Sequence, residues 1–147
     1  MTHQELARVE AALAVHLPES YRALMLAYPF PADSLTAECL LPDDADQLIE
    51  MNRGVERGAP GRTGGDEWPP RGYVMIGSDG GEECYLLAAG RADSPVYVYD
   101  VERGELREHA SGLEQFVAQC RATEDEIRQD EEAMARKPRT RWWQFWR

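Results

Sequence analysis

The sequence predicts a single α+β domain, with a meander of short strands at its centre and helices on both sides. Three observations support this prediction: strand-forming runs between Gly72 and Asp100, a strong turn signal among them, and apolar residues at helical spacing before and after. A chain of 147 residues is long enough to bury one core without disulfides or metals. We expect the domain to span residues 1–135, followed by a tail at 136–147.

Two predicted helices open the chain. Thr2 and Glu5 have the spacing of a capping box, in which each side chain satisfies a free backbone N–H of the other residue. Pro18 is predicted to end the first helix and open the second, because its missing N–H is not needed in a first helical turn. The apolar faces are Leu6, Val9, Leu13 and Leu17 in the first helix, and Tyr21, Leu24, Met25 and Tyr28 in the second.

The next segment is predicted to hold a short strand at residues 37–41 and then a third helix. Asp43 and Asp44 favour a helix start there, since acidic side chains stabilise the positive end of a helix dipole. Residues 57–70 are predicted to be a loop, because glycine and proline are dense there. Trp68 lies in this loop, where a tryptophan either caps the edge of the core or binds a partner.

The central meander begins with a strand at residues 73–76. The turn at 78–81 contains Asp-Gly, which tolerates the positive φ angles of a tight hairpin. A second strand at 84–88 and a third at 96–99 follow, with a fourth expected at 106–110.

A long helix is predicted to close the domain. Residues 111–114 have the pattern of a second capping box, formed by Ser111 and Glu114. Its first half is expected to dock on the sheet, and its acidic second half, residues 124–132, to project into solvent. The apolar face consists of Leu113, Phe116, Val117, Cys120, Ile127 and Met134.

Charge and cysteine content restrict the classes of function. The net charge is −11, from 27 acidic and 16 basic residues, which argues against nucleic acid as a partner and favours a basic one. Cys39, Cys84 and Cys120 are scattered, so they indicate neither a disulfide framework nor a metal site. No basic segment followed by an apolar stretch opens the chain, and we therefore expect a cytoplasmic protein.

No catalytic constellation is visible, so no catalytic residue, metal or cofactor is predicted and the protein is not expected to be an enzyme. His3, His16 and His109 share no motif with a serine or cysteine nucleophile. Acidic residues at 43, 44 and 46 lack calcium-loop spacing, and helix capping explains them. A hydrolase using scattered carboxylates is a remaining alternative, although no titratable cluster is visible.

The tail combines basic and aromatic side chains. Residues 136–147 hold five basic residues and no acidic one, so residues 1–135 carry a net charge of −16. Three interpretations are open: contact with a membrane interface, docking on a partner, or folding back on the acidic domain. The residues predicted to make the tail contact are Arg139, Arg141, Trp142, Trp143, Phe145 and Trp146.

Several segments, in this order, resemble a known family. In the first half of the chain they are an opening helix with Glu10, the Leu-Pro-Glu-Ser-Tyr-Arg segment at 17–22, and Leu40-Leu41 running into a helix through Asn52. In the second half they are the Ile-Gly-Ser-Asp-Gly-Gly hairpin at 76–81, the strand at 95–100, and the Ser-Gly-Leu-Glu-Gln-Phe helix start at 111–116. Together they resemble the SUKH superfamily, the Smi/Knr type of cell-wall-assembly-regulator-like proteins. Residues 28–31, Tyr-Pro-Phe-Pro, depart from the Asn-Gly turn that is frequent there in the family.

The resemblance implies a twisted, mainly antiparallel sheet of about four to six strands with helices packed at one side. It also implies a non-enzymatic binding protein, either an intracellular immunity protein that masks a bacterial toxin, such as a nuclease, or a regulatory scaffold whose tail docks a partner or membrane. The residues predicted to bind a basic protein partner are acidic and aromatic side chains near the hairpin: Trp68, Asp79, Glu82, Glu83, Tyr97, Tyr99 and Asp100. Asp79 is also needed for the turn itself.

Overall fold

The computed structural model describes residues 1–53 and 68–136 of the chain. Its helices are α1 (His3–Leu13), α2 (Glu19–Leu26), α3 (Ala45–Asn52) and α4 (Leu113–Arg136), with a π-helical turn at Thr36–Leu40. Its strands are β1 (Tyr73–Ser78), β2 (Glu83–Ala88), β3 (Val96–Asp100) and β4 (Glu105–Ala110). The predicted α+β class is confirmed, with an antiparallel sheet, N-terminal helices and a long C-terminal helix.

The strands form one sheet in the order β1-β2-β3-β4, and every neighbouring pair is antiparallel. The register changes at two places, where one strand has an extra residue: at Ile76 in β1 and at His109 in β4. Such bulges bend a strand and change which face its side chains take. The four predicted strand positions are confirmed.

The helices pack on one face of the sheet and form the main core with it. Alternate strand residues point toward this layer, as the two-residue period of a strand requires. The main core contains Val74, Ile76, Tyr85, Leu87, Val96 and Val98 from the sheet, and Leu6, Val9, Tyr21, Met25, Leu48, Leu113, Phe116 and Cys120 from the helices.

The start of α1 is confirmed, but its end lies earlier than predicted. Thr2 and Glu5 form the expected capping box, with the Glu5 N–H donating to Thr2 Oγ1 at 3.2 Å. The helix ends at Leu13 and not at Pro18, because Ala14 takes a left-handed conformation with φ of 53°. The Glu10 carboxylate then accepts from the Leu17 N–H at 2.9 Å, which holds the non-helical segment in place. Pro18 still opens α2, as its N-cap.

The short strand predicted at residues 37–41 is wrong, because this segment is the π-helical turn. Ala37, Leu40 and Leu41 are buried, and a short apolar run does not distinguish a strand from a buried helical turn. A long-range contact favours the helical form: Glu124 of α4 accepts hydrogen bonds from the Thr36 N–H at 2.6 Å and from the Thr36 hydroxyl at 2.7 Å.

The second capping box has a different partner from the one predicted. Helix α4 begins at Leu113, so Gln115 and not Glu114 occupies its third position. Gln115 Oε1 accepts from the Ser111 N–H at 2.8 Å and from the Ser111 hydroxyl at 2.9 Å.

The predicted division of α4 is confirmed. Leu113, Phe116 and Cys120 are buried in the main core, whereas most residues after Glu124 are exposed. Most of the predicted loop at 57–70 and the tail after Arg136 lie outside the described residues, as do the six predicted tail contacts: Arg139, Arg141, Trp142, Trp143, Phe145 and Trp146.

The outer edge of β1 is closed by a side chain from α3. Asn52 Oδ1 accepts from the Met75 N–H, and Asn52 Nδ2 donates to the Met75 carbonyl, both at 2.8 Å. The amide therefore supplies the two hydrogen bonds that another strand would make. Next to it, Gly77 lies so close to the π-helical turn that a Cβ atom would stand 2.0 Å from the Leu40 carbonyl oxygen.

Candidate protein-interaction surface

The face of the sheet opposite the main core carries a second apolar cluster. Met75, Cys84 and Leu86 are buried at its centre, on alternate positions of β1 and β2. Around them are partly buried hydrophobic residues: Met51, Trp68, Tyr73, Tyr97, Tyr99 and Val101. The sheet is thus apolar on both faces, which is typical of a sheet whose second face also meets another surface.

Four aromatic side chains on this second face are locked in two pairs. The Trp68 and Tyr99 rings meet edge to face with centroids 5.4 Å apart, and the Tyr73 and Tyr97 rings do so at 5.3 Å. Trp68 Nε1 also donates to the Met51 carbonyl at 3.1 Å, so its ring is held from two sides. We call Trp68, Tyr73, Tyr97 and Tyr99 the aromatic face. Edge-to-face pairs are favourable arrangements of aromatic rings, and they fix the rings before any partner binds.

Acidic side chains collect at one end of the sheet. The β1–β2 and β3–β4 turns lie side by side there, since the Val101 N–H donates to the Glu82 carbonyl at 2.9 Å. The acidic end, as we name it, consists of Asp79, Glu82, Glu83, Asp100, Glu102 and Glu105. The negative charge of Glu102 is the main cause that raises the pKa of Glu82 above its ordinary value. The cause is repulsion between two like charges, which a cation close to both would reduce.

Two carboxylates of the acidic end are built into its turns. Asp79 Oδ1 accepts from the Gly81 N–H at 2.8 Å and from the Glu83 N–H at 3.1 Å, as expected for an aspartate that forms a hairpin turn. Asp100 Oδ1 accepts from the Arg103 N–H at 2.9 Å in the other turn. These two residues therefore shape the surface as well as charging it.

Arginines compensate only part of the negative charge at the acidic end. Arg107 pairs with Glu83 at 2.6 Å, and Arg103 lies 3.6 Å from the Asp100 carboxylate. Among residues 1–53 and 68–136, two guanidinium groups pair with the six carboxylates of the acidic end, so these described side chains carry a net negative charge.

The structure brings the seven sequence-predicted residues to two adjoining places. Three aromatic ones lie on the aromatic face and the four acidic ones at the acidic end. Tyr99 joins the two places, because its hydroxyl lies near Gly104 in the β3–β4 turn. Sequence reasoning missed Tyr73, Glu102 and Glu105. The sequence did contain a signal for Tyr73. Tyr73 and Met75 lie at alternate positions of β1, as Tyr97 and Tyr99 do on β3, and so share one face of the sheet. Because the residues between them are apolar as well, each strand is apolar on both faces.

Two thiols, one beneath the aromatic face and one in the main core, are packed, and so is His109. Burial is the main cause that raises the pKa of Cys84 to about 11 and that of Cys120 to about 12, so both thiols stay protonated at neutral pH. His109 packs against the Tyr85 and Phe116 rings, at centroid distances of 5.2 and 5.9 Å. Within residues 1–53 and 68–136, no group of three or more potential metal ligands is found, and no helix has the length and apolarity needed to cross a bilayer.

An antiparallel meander with helices on one face, the aromatic face on the other and the acidic end at its turns defines an α+β domain with a candidate protein-interaction surface. The family model described as SMI1 / KNR4 family (SUKH-1) matches residues 1–119, and the chain belongs to this family. The resemblance stated from the sequence is therefore confirmed. Comparisons with curated proteins and with solved structures found no match. Family membership supports a protein-interaction or immunity-type domain, whose partner is in general another protein.

Proposed function

We propose that this chain is an intracellular immunity-type protein that acts by binding, without catalysis, and masks a basic toxin domain such as a nuclease. The observation that carries the proposal is the junction of the aromatic face with the acidic end at Tyr99. Family membership supplies the class of protein, and the junction supplies a surface on which a basic partner would fit.

The charge of the acidic end matches what a nuclease must present. A nuclease binds phosphates through a basic cleft, so a negatively charged protein is attracted to the same cleft and excludes the substrate. Glu82 and Glu102 are suited to this contact, because both are exposed in neighbouring turns and repel each other until a cation approaches.

The aromatic face supplies the apolar part of the proposed contact. Binding hot spots are enriched in tyrosine and tryptophan, and they are surrounded by contacts that exclude water. Trp68 and Tyr99 are each partly buried and already oriented by their mutual contact, so little conformational entropy would be lost on binding.

The test is capture from the cells of origin with the tagged full-length protein. A turn variant, Glu82→Lys/Glu102→Lys, reverses two charges at the acidic end. A matched control, Glu126→Lys/Asp130→Lys, makes the same change in charge on the exposed half of α4. Wild type and control are expected to capture a protein with a basic domain, and the turn variant is expected to lose it.

Identity of the captured protein decides between the functions. A captured domain that arrests growth when expressed alone, and is neutralised by wild type but not by the turn variant, supports the proposal. Equal neutralisation by the turn variant contradicts it. A copy ending at Arg136 tests the alternative scaffold function. If only the full-length form captures envelope proteins or lipid, the tail carries the function and the toxin proposal is wrong.

A further inference from the structure

The two edges of the sheet are treated differently. Asn52 and the π-helical turn close the edge of β1, as described above. Strand β4 forms the other edge, and no strand of the described ranges lies beyond it. Residues 105–108 of β4 are exposed. An open edge presents unpaired N–H and C=O groups, which another strand can satisfy.

The exposed part of β4 is complementary to itself. When two copies of a strand pair antiparallel about a two-fold axis normal to the sheet, paired residues must lie on the same face. With the axis at Leu106, Leu106 meets its own counterpart, and Glu105 of each copy meets Arg107 of the other. One apolar contact is then flanked by two opposite-charge pairs, each of which stabilises a sheet.

Other registers of the same pairing are unfavourable. An axis at Glu105 would place two glutamates opposite each other, and an axis at Arg107 would place two arginines opposite each other. An axis at Glu108 again pairs two glutamates. Like charges directly opposite destabilise a sheet, so the sequence of β4 selects the register centred on Leu106.

The selected register also continues the candidate surface. Leu106 is 37% exposed and is paired in register with Tyr99, the residue whose ring contacts Trp68. Leu106 of the second copy would extend this apolar row across the contact. We propose that β4 pairs antiparallel with β4 of a second copy of the chain, centred on Leu106, and joins the two sheets into one.

The extent of the proposed pairing is limited by the bulge in β4. His109 is the extra residue, so the regular part of the strand ends at Glu108. A ladder of about four residues per copy forms a small interface, and small interfaces are transient. Self-association is therefore expected to depend on protein concentration.

The test uses charge exchange in the full-length protein, with mass measured by analytical ultracentrifugation over about a hundredfold range of concentration. Glu105→Arg places arginine opposite Arg107 of the other copy, and Arg107→Glu places glutamate opposite Glu105. Each variant alone is expected to dimerise at least about tenfold more weakly than wild type. Mixed together they restore both opposite-charge pairs, so the mixture is expected to dimerise like wild type.

Two controls separate pairing from folding. Glu105 is paired in register with Asp100 within its own chain, so Glu105→Arg places an opposite charge beside Asp100 and is not expected to unfold the monomer. Arg107→Glu loses the exposed pair with Glu83, and thermal melting checks its fold. Glu126→Arg makes the same charge change on α4 and is expected to dimerise like wild type.

Restoration in the mixture supports the proposal. If the wild-type protein stays monomeric throughout the concentration range, the proposal is wrong, and the β4 edge is then available to a strand of another protein. Dimerisation of Glu105→Arg at wild-type strength also overturns it. A wild-type dimer whose variants are weakened but not restored by mixing places the contact elsewhere, which again overturns it.

Discussion

Replacing Asn52 by alanine tests how the sheet edge is closed. The Asn52 amide is 5% exposed and holds both the N–H and the C=O of Met75, a residue that is itself 7% exposed. Alanine would leave these two backbone groups buried without a partner. Each such group costs about 1–3 kcal/mol, so Asn52→Ala is expected to lower the free energy of unfolding by about 2–6 kcal/mol.

A loss of that size is a large part of the stability of an ordinary domain, which is about 5–15 kcal/mol. For a chain of this length it corresponds to a Tm lower by about 5–15 °C. Urea unfolding followed by circular dichroism measures the free energy, and calorimetry measures the Tm. Gln129→Ala, which removes an exposed amide from α4, is the matched control and is expected to change little.

The reasoning is refuted if Asn52→Ala unfolds within about 0.5 kcal/mol of the Gln129→Ala control. A second variant, Asn52→Asp, keeps an acceptor for the Met75 N–H but cannot donate to the Met75 carbonyl when it is ionised. It is expected to be destabilised at neutral pH and to recover in part at acid pH, where the protonated carboxyl can donate again.

Two further substitutions test one contact between α1 and α2 and one contact between the sheet and the π-helical turn. The pKa of Glu10 is lowered: burial alone would raise it, but hydrogen bonds from the Leu17 N–H and Arg22 outweigh burial. A carboxyl whose pKa is lower in the folded state stabilises the fold at pH values above its unfolded-state pKa. This contribution is lost as the pH falls through the folded-state pKa. Glu10→Gln should therefore lower the free energy of unfolding by about 1 kcal/mol at pH 7, measured by urea unfolding. This difference from wild type should shrink when the pH falls below 4.5, the ordinary pKa of a glutamate carboxyl. A difference that stays constant with pH contradicts this. Gly77→Ala drives a Cβ against the Leu40 carbonyl and should cost about 2–3 kcal/mol; a melting curve like that of wild type would contradict the close approach.

Much of the fold was predictable because local signals and the fold agree. The Asp-Gly turn, the alternating strands and the Thr2–Glu5 capping box each follow from neighbouring residues. The π-helical turn was not predictable, because Glu124 reaches it from 88 residues away along the chain. The end of α1 was likewise not predictable, because it depends on the hydrogen bond that the Glu10 carboxylate accepts from the Leu17 N–H.

The candidate surface was predictable in composition and less so in arrangement. Acidic and aromatic residues near the hairpin were identified from type and position alone. That the two turns would join, so that Glu82 faces Glu102, depends on the register between β2 and β3. Tyr73 was missed because the strand containing it was interpreted as facing one core, whereas the sheet is apolar on both faces.

The central claim is that the acidic end attracts a basic partner to the aromatic face. The most direct test is the rate at which the purified protein associates with its captured basic domain, measured by stopped flow at increasing salt. Electrostatic steering raises association rates by about 10- to 1,000-fold at low salt, and salt screens it. We predict a rate that falls steeply with salt for wild type and for Glu126→Lys/Asp130→Lys, and less steeply for Glu82→Lys/Glu102→Lys. A rate that does not depend on salt, or an equal dependence in all three proteins, would contradict the account.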